Sequence, residues 1–297
     1  MKKLLLIVNP KAASGSKIFH QKKIEKTLEE GCFEVTSYAP KDLVEQKQCL
    51  KNTAVKYDVV ATVGGDGTIN NVINGLESLT CALGFIPLGS ENCIARYFGI
   101  PSDPIKACKI IISQKTKSVD LGIINNRYFL GFASMGFDAG IIHDFEKSPK
   151  IKNLSRGQRI LNVPLHVLYG AKKFFETKPI KMTVISDDKE IPGGYWILFG
   201  NIPEYAAGWR LFPKAEIDDG ELDLIIGKNK DIFNTLKYVI TSKTGKHLSL
   251  PDLSYDRVKN VKITSEEPVK IQADGEYIGT TPAIIKIMPR VLKIIIP

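Results

Sequence analysis

No apolar run in this 297-residue sequence approaches the ~20 residues that a membrane-spanning helix needs. The chain is therefore not expected to cross a bilayer with helices. Its start, Met1-Lys2-Lys3 followed by Leu4 to Val8, is basic and then apolar, but stops at Asn9-Pro10 without a cleavage-site pattern. A first strand is expected there, not a signal peptide. Cysteine is sparse: Cys32, Cys49, Cys81, Cys93 and Cys108 are odd in number, and no pair has zinc-site spacing. A reducing, cytoplasmic setting follows as the expectation. The four histidines, His20, His143, His166 and His247, form no visible constellation, so each reads as structural. The GxxxxGK[ST] phosphate loop is absent, which excludes that class of nucleotide-binding protein. Internal repeats and low-complexity segments are absent too. Aromatic and basic residues do not interleave, so nucleic acid is not an expected partner.

Hydrophobic residues make up 43% and charged residues 25%, an ordinary globular balance. The length suits two domains, each with its own core. A formal net charge of +9 favours anionic lipid or nucleotide phosphates. Ser155 to Phe175, helical at least from Pro164, sets Arg156, Arg159, Lys172 and Lys173 beside Ile160, Leu161, Leu165, Leu168, Phe174 and Phe175. It reads first as a core helix with a solvated basic face. The alternative is an amphipathic segment that touches an anionic membrane.

Val63-Gly64-Gly65-Asp66-Gly67-Thr68 organises the first half. It follows the apolar run Asp58–Val63, a buried strand, and precedes Ile69, Val72, Ile73 and Leu76 at helical spacing. A glycine turn between strand and helix leaves backbone N–H groups free and aims a positive helix end at its ligand, which suits phosphate. A carboxylate there would repel phosphate unless a metal stands between them, so Asp66 suggests Mg²⁺ beside a nucleotide. Gly84-Phe85-Ile86-Pro87-Leu88-Gly89-Ser90-Glu91-Asn92 repeats the strand, tight turn and helix start, with the helix running to about Gly99. Strands at Leu4–Val8 and Phe33–Ala39 and helices to about Glu30, over Asp42–Val55 and over Pro104–Ser113 complete a strand–helix alternation, hence a parallel sheet covered on both faces. Past residue 125 the texture turns β-rich. Runs at Tyr128–Phe132, Met182–Ile185, Tyr195–Phe199, Leu222–Ile226, Val261–Ile263, Val269–Ile271, Ile284–Met288 and Leu292–Ile296 predict an antiparallel sandwich. The expected architecture is α/β: a doubly wound parallel-sheet domain over 1–125 and a β-sandwich domain over 126–297.

With the GGDGT and PLGSEN stretches the sequence resembles the diacylglycerol kinase catalytic-domain family, which includes bacterial lipid kinases and the sphingosine and ceramide kinases. Further matches extend the resemblance over nearly the whole chain. Asn9-Pro10, with Ser14-Gly15, resembles the family's first nucleotide loop. Gly131 to Ala139 resembles its entry to the second domain. Pro213 to Leu224 resembles P-x-A-x-x-x-D-G-x-L-x-[LV], and Asp274-Gly275-Glu276 its D-G-E element. The resemblance implies a lipid kinase that uses ATP and Mg²⁺. It implies nucleotide contacts at Asn9, Pro10, Ser14, Gly15, Gly64, Gly65, Asp66, Gly67, Thr68, Asn70, Gly89, Ser90 and Asn92. A divalent cation is implied at Glu216, Asp219 and Glu221, and a general base at Glu276, with Asp66 as the second catalytic carboxylate. The implied partner is a lipid alcohol, held between the domains or in a pocket of the sandwich; the net charge adds peripheral contact with an anionic membrane surface, and a homodimer is left open.

Three positions depart from the pattern. Asn71 stands where the family usually has Glu, Cys93 where many members have Asp, and Ala39-Pro40 where many have a Thr. Two other readings stay open. One is an NAD kinase, a distant relative sharing GGDG; the other is a catalytically silent lipid-binding protein, motivated by Asn71 and Cys93. Intact Asp66, Asp219 and Glu276 favour an active enzyme.

Overall fold

Strands β1 (Lys2–Val8), β2 (Phe33–Tyr38), β3 (Val59–Gly64) and β4 (Ala82–Pro87) pair in parallel in the order β2-β1-β3-β4. In this computed structural model, which describes residues 1–10, 17–51, 56–89, 91–147, 180–205, 209–228, 237–238 and 240–297, every residue of β3 is buried. A strand covered on both sides has no use for polar alternation, which is why VVATVG reads as a continuous run. The chain steps from β1 out to β2, then back past β1 to β3. With right-handed crossovers, that reversal puts successive helices on opposite faces. Helix α1 (Lys17–Glu30) accordingly packs on α5 (Pro104–Ser113), and α2 (Leu43–Lys51) on α3 (Asp66–Ile73). The short α4 (Cys93–Tyr97) follows β4. Asp103 caps α5 by accepting the Lys106 N–H at 2.8 Å, with Pro104 in the first turn.

These elements belong to one compact unit, Met1–Leu121 with Pro289–Pro297; the other is Gly122–Met288. Strand β5 (Thr116–Ile124) ends in the second unit, where it pairs with β6 (Arg127–Phe129). The apolar runs at Ile284–Met288 and Leu292–Ile296 are one strand, the last of sixteen among the described residues, β16 (Ala283–Ile295). A positive φ of 53° at Arg290 marks its irregular point, where the Arg290 N–H is received by buried Asp120 at 2.6 Å. Beyond it, Lys293 and Ile294 pair in parallel with Ala82 and Leu83 and extend the first unit's sheet.

In the second unit, β16 begins as a partner of β13 (Asn260–Ser265), which pairs with β8 (Met182–Ser186), then β9 (Lys189–Ile191). A second sheet, all antiparallel, runs β12 (Leu253–Val258), β11 (Leu222–Gly227), β10 (Trp196–Gly200), β7 (Phe132–Met135), β14 (Lys270–Ala273), β15 (Glu276–Thr280). Both sheets feed one core, with Phe129, Met182, Ile263 and Ile285 from the first and Met135, Phe199, Leu224 and Ile271 from the second. This is the predicted sandwich, and the whole is the predicted α/β fold. Helix α6 (Phe137–Lys147) leaves β7 and packs on β14 and β15. The basic segment Ser155–Phe175, with His166, lies outside the described residues.

Candidate active site

In the first unit the glycine loops meet at the carboxyl ends of β3 and β4, the edge at which such sheets bind ligands. Gly65 is the N-cap of α3 and has no side chain to close the helix end. Its carbonyl takes the Thr68 and Ile69 N–H groups at 2.9 and 3.2 Å. No acceptor among the described residues meets the N–H of Asp66 or Gly67. A Cβ on Gly67 would have nothing within 4 Å, so glycine there keeps open space open. Gly65 and Gly89 do the opposite. A Cβ on Gly65 would lie 2.8 Å from the Gly89 Cα, and one on Gly89 2.3 Å from the Gly65 Cα. The two loops touch backbone to backbone, and the Gly64 carbonyl accepts both Leu88 N–H (2.7 Å) and Gly89 N–H (3.1 Å).

Asp66 has a role that its sequence context did not reveal. Its carboxylate accepts the backbone N–H of Cys93 at 2.9 Å and of Ile94 at 3.0 Å, and so caps α4 from another element. Burial pushes its pKa above the ordinary carboxylate value, against the pull of those two bonds. Asn92, at φ 48°, donates to the Gly89 carbonyl at 2.9 Å, and its own buried Oδ1 has no partner among the described residues. Asn9 donates from Nδ2 to Thr68 Oγ1 at 2.9 Å. Asn70 is buried one turn further along α3, where it accepts from the Asn74 amide. Asn9, Gly64, Gly65, Asp66, Gly67, Thr68, Gly89 and Asn92 therefore converge, whereas Asn70 faces its own helix and Pro10 follows at the end of β1. Ser14, Gly15 and Ser90 lie outside the described residues.

In the second unit Asp274 (φ 46°) and Gly275 (φ 81°) form the two-residue turn between β14 and β15. Positive φ at both positions is what an Asp-Gly hairpin turn requires. The Asp274 carboxylate receives three N–H groups, from Leu130 at 2.8 Å and from Gly131 and Phe132 at 2.9 Å. The turn is thus fastened to the segment between β6 and β7, and Glu276 opens β15 beside it. Arg127 of β6 forms an ion pair with Glu276. Nearby, His143 Nδ1 meets both Asp144 Oδ1 (2.7 Å) and Lys270 Nζ (2.9 Å), and its ring stands edge-on to Tyr277. His143 therefore does have a constellation, made with residues of other types.

The acidic turn is paired with basic side chains. Arg257 pairs with Asp219 and, from Nε at 3.1 Å, with Glu221, while Lys259 reaches Glu221 at 3.8 Å. Glu216 is exposed. Among the described residues no three His, Cys, Asp or Glu side chains form a group that could hold a metal ion. A guanidinium thus pairs with two of the three carboxylates at which a cation was expected, Asp219 and Glu221. Beside them Asp223 is buried, and burial pushes its pKa up to about 6 against the hydrogen bond from Tyr255 at 2.7 Å.

The chain combines a glycine-loop cradle on a doubly wound sheet with an antiparallel sandwich bearing a fastened carboxylate hairpin. Comparison with known proteins places it. The diacylglycerol kinase catalytic domain matches residues 3–124, and the YegS C-terminal NAD kinase beta sandwich-like domain matches residues 150–296. Along its full length the chain is thus related to diacylglycerol kinases. It is 27% identical to a diacylglycerol kinase of Bacillus subtilis (strain 168), over 100% of this chain and 97% of the relative. It is 28% identical to one of Staphylococcus haemolyticus (strain JCSC1435), over 98% and 87%. A crystal structure of a diacylglycerol kinase from Bacillus anthracis str. Sterne superposes with a TM-score of 0.78 at 25% identity, covering 100% of this chain and 97% of that one. A second B. anthracis structure reaches 0.80 at 24% identity, over 100% and 95%, and supports the fold.

Proposed function

We propose that the protein transfers the terminal phosphate of ATP, accompanied by Mg²⁺, to the hydroxyl of a lipid, with diacylglycerol the acceptor and phosphatidic acid the product. The observation that carries the reading is the start of α3. Two N–H groups without acceptors among the described residues, an open Gly67 and a helix end whose N-cap is glycine make a cradle for phosphate oxygens. The full-length kinship with diacylglycerol kinases selects the acceptor class. Mg²⁺, when bound with the nucleotide, neutralises phosphate charge. No step is assigned to the acidic turn.

Glu276 is the general base in this reading. It holds the lipid hydroxyl in line and takes its proton, while Asp274 keeps the turn beneath it rigid. Asp66 sets α4 against the glycine loops and so shapes the cradle. No helix among the described residues is long and apolar enough to cross a membrane, and the net charge of +9 supports peripheral contact with anionic lipid. The test is labelled ATP offered with diacylglycerol, a sphingoid base, ceramide and NAD in parallel. Labelled phosphatidic acid is expected. Labelled NADP with no lipid product would favour the soluble NAD kinase reading, and no turnover with any acceptor the silent one.

A further inference from the structure

Gln272 is fully buried on β14, and both ends of its amide are engaged. Its Oε1 accepts the Gly275 N–H at 2.9 Å. Its Nε2 donates to Ser134 Oγ at 2.8 Å and to Asp138 Oδ2 at 3.2 Å. Ser134, also fully buried, donates its own hydroxyl proton to Asp138 Oδ2, and the Tyr205 hydroxyl donates to Asp138 Oδ1 at 2.9 Å. The amide has one acceptable orientation. Flipped, its oxygen would face a carboxylate and its NH₂ group would face the Gly275 N–H, leaving both unmatched. The turn that presents Glu276 is thus gripped twice: Asp274 holds it to residues 130–132, and Gln272 holds the N–H of Gly275.

We propose that Gln272 is a positioning residue for phosphoryl transfer. Through Gly275 it sets where Glu276 stands, and Ser134 and Asp138 set Gln272. The inference rests on the reading of Glu276 as the base. A base must sit within hydrogen-bond reach of the proton that it takes. Misplacing it by ~1 Å can lower the rate ~10²-fold without touching the substrate. Desolvation, which raises the Asp138 pKa, adds to the selectivity of the site for a neutral amide at 272. The titratable groups around position 272 are Asp138 on α6, Tyr205, Tyr238 facing Asp138, and Asp274 and Glu276 of its own hairpin.

The test uses the full chain with ATP, Mg²⁺ and diacylglycerol in mixed micelles. Gln272→Met keeps length and removes both polar ends. Its kcat should fall ~10²-fold with KM for ATP unchanged, and the Gly275 amide should exchange with solvent faster. Gln272→Glu supplies a readout that a merely structural role would not move. Its protonated form carries a carbonyl for Gly275 and an O–H for Asp138, as the amide does, while its ionised form sets a second negative charge against Asp138. The ratio of its kcat to that of the wild type should rise as pH falls. Wild-type kcat in Q272M, or a Q272E ratio independent of pH, overturns the proposal; where Q272M does not fold, the Q272E ratio decides alone. Glu276→Gln separates the two readings. Full turnover in that variant defeats the base assignment itself. Lost turnover there, with full turnover in Q272M, defeats only the positioning role.

Discussion

An alcohol is a poor nucleophile near neutral pH, so the residue expected to matter most is the one that takes its proton. Glu276→Gln keeps the size of the side chain and removes its basicity. Lipid phosphate formation should fall by ~10²-fold or more, with ATP affinity retained; near-wild-type turnover would remove Glu276 from the chemistry. A thermal melt belongs beside this measurement, because the substitution also strips Arg127 of a charged partner. Asp66→Ala should behave differently. It orphans the N–H groups of Cys93 and Ile94, at about 1–3 kcal/mol for each buried group left unpaired, so the melting temperature should drop along with nucleotide binding. An unchanged melt would mean that α4 does not depend on this cap. Asp138 gives a pH-dependent expectation. Its folded pKa is raised from 3.8 by desolvation. The folded state therefore holds the proton more tightly, and this stabilisation is present in full below pH 3.8 and is lost as pH rises through the folded value. Asp138→Asn should flatten that part of the stability profile, read as the difference in melting temperature between the two proteins across the acid range; parallel profiles would contradict it. The glycines were legible because tight turns and close approach demand them. The bonds of Asp66, Asp274 and Gln272 were not, since they join residues 27 to 144 positions apart, and neither composition nor periodicity encodes such pairs.

Among elements, the acidic turn before β11 is the one whose energetics separate most cleanly from its sequence. Glu216, Asp219 and Glu221 predict mutual repulsion relieved by a cation. The relief comes from Arg257, on a strand that the sequence reading did not expect. LSYDRV lacks a continuous apolar run because Asp256 and Arg257 of β12 are exposed. The same cause hid β9 and β15, which are short and only partly buried, and α6, which begins immediately after a strand and a glycine. Long apolar runs, by contrast, became strands within a residue or two, except Tyr128–Phe132, which breaks at Leu130-Gly131 between the end of β6 and the start of β7. Arg257→Ala should lower the melting temperature and make it rise again with added Mg²⁺, while the wild-type melt stays indifferent to the metal. Equal Mg²⁺ sensitivity in both would favour the turn as a cation site.

For the whole molecule, charge is the property that composition states most directly. The excess of +9 predicts co-sedimentation with anionic vesicles that weakens as salt rises, since each basic residue near such a surface adds ~1 kcal/mol at most. Equal binding to neutral and anionic vesicles at every salt concentration would refute it. Topology was less open to reading. Runs of strands announce a sandwich, but nothing in Leu292–Ile296 tells that this stretch lies beside Ala82 and Leu83. That return of β16 bears on how the protein is made. Domains emerging from a ribosome commonly fold in order, the amino-terminal one first. Here the first unit, Met1–Leu121, also includes Pro289–Pro297. A nascent chain can display its glycine loops early, yet it must wait for its final strand before the sheet beneath them is whole. Synthesis itself then withholds the finished sheet under the glycine loops until the sandwich that carries Glu276 has already left the ribosome.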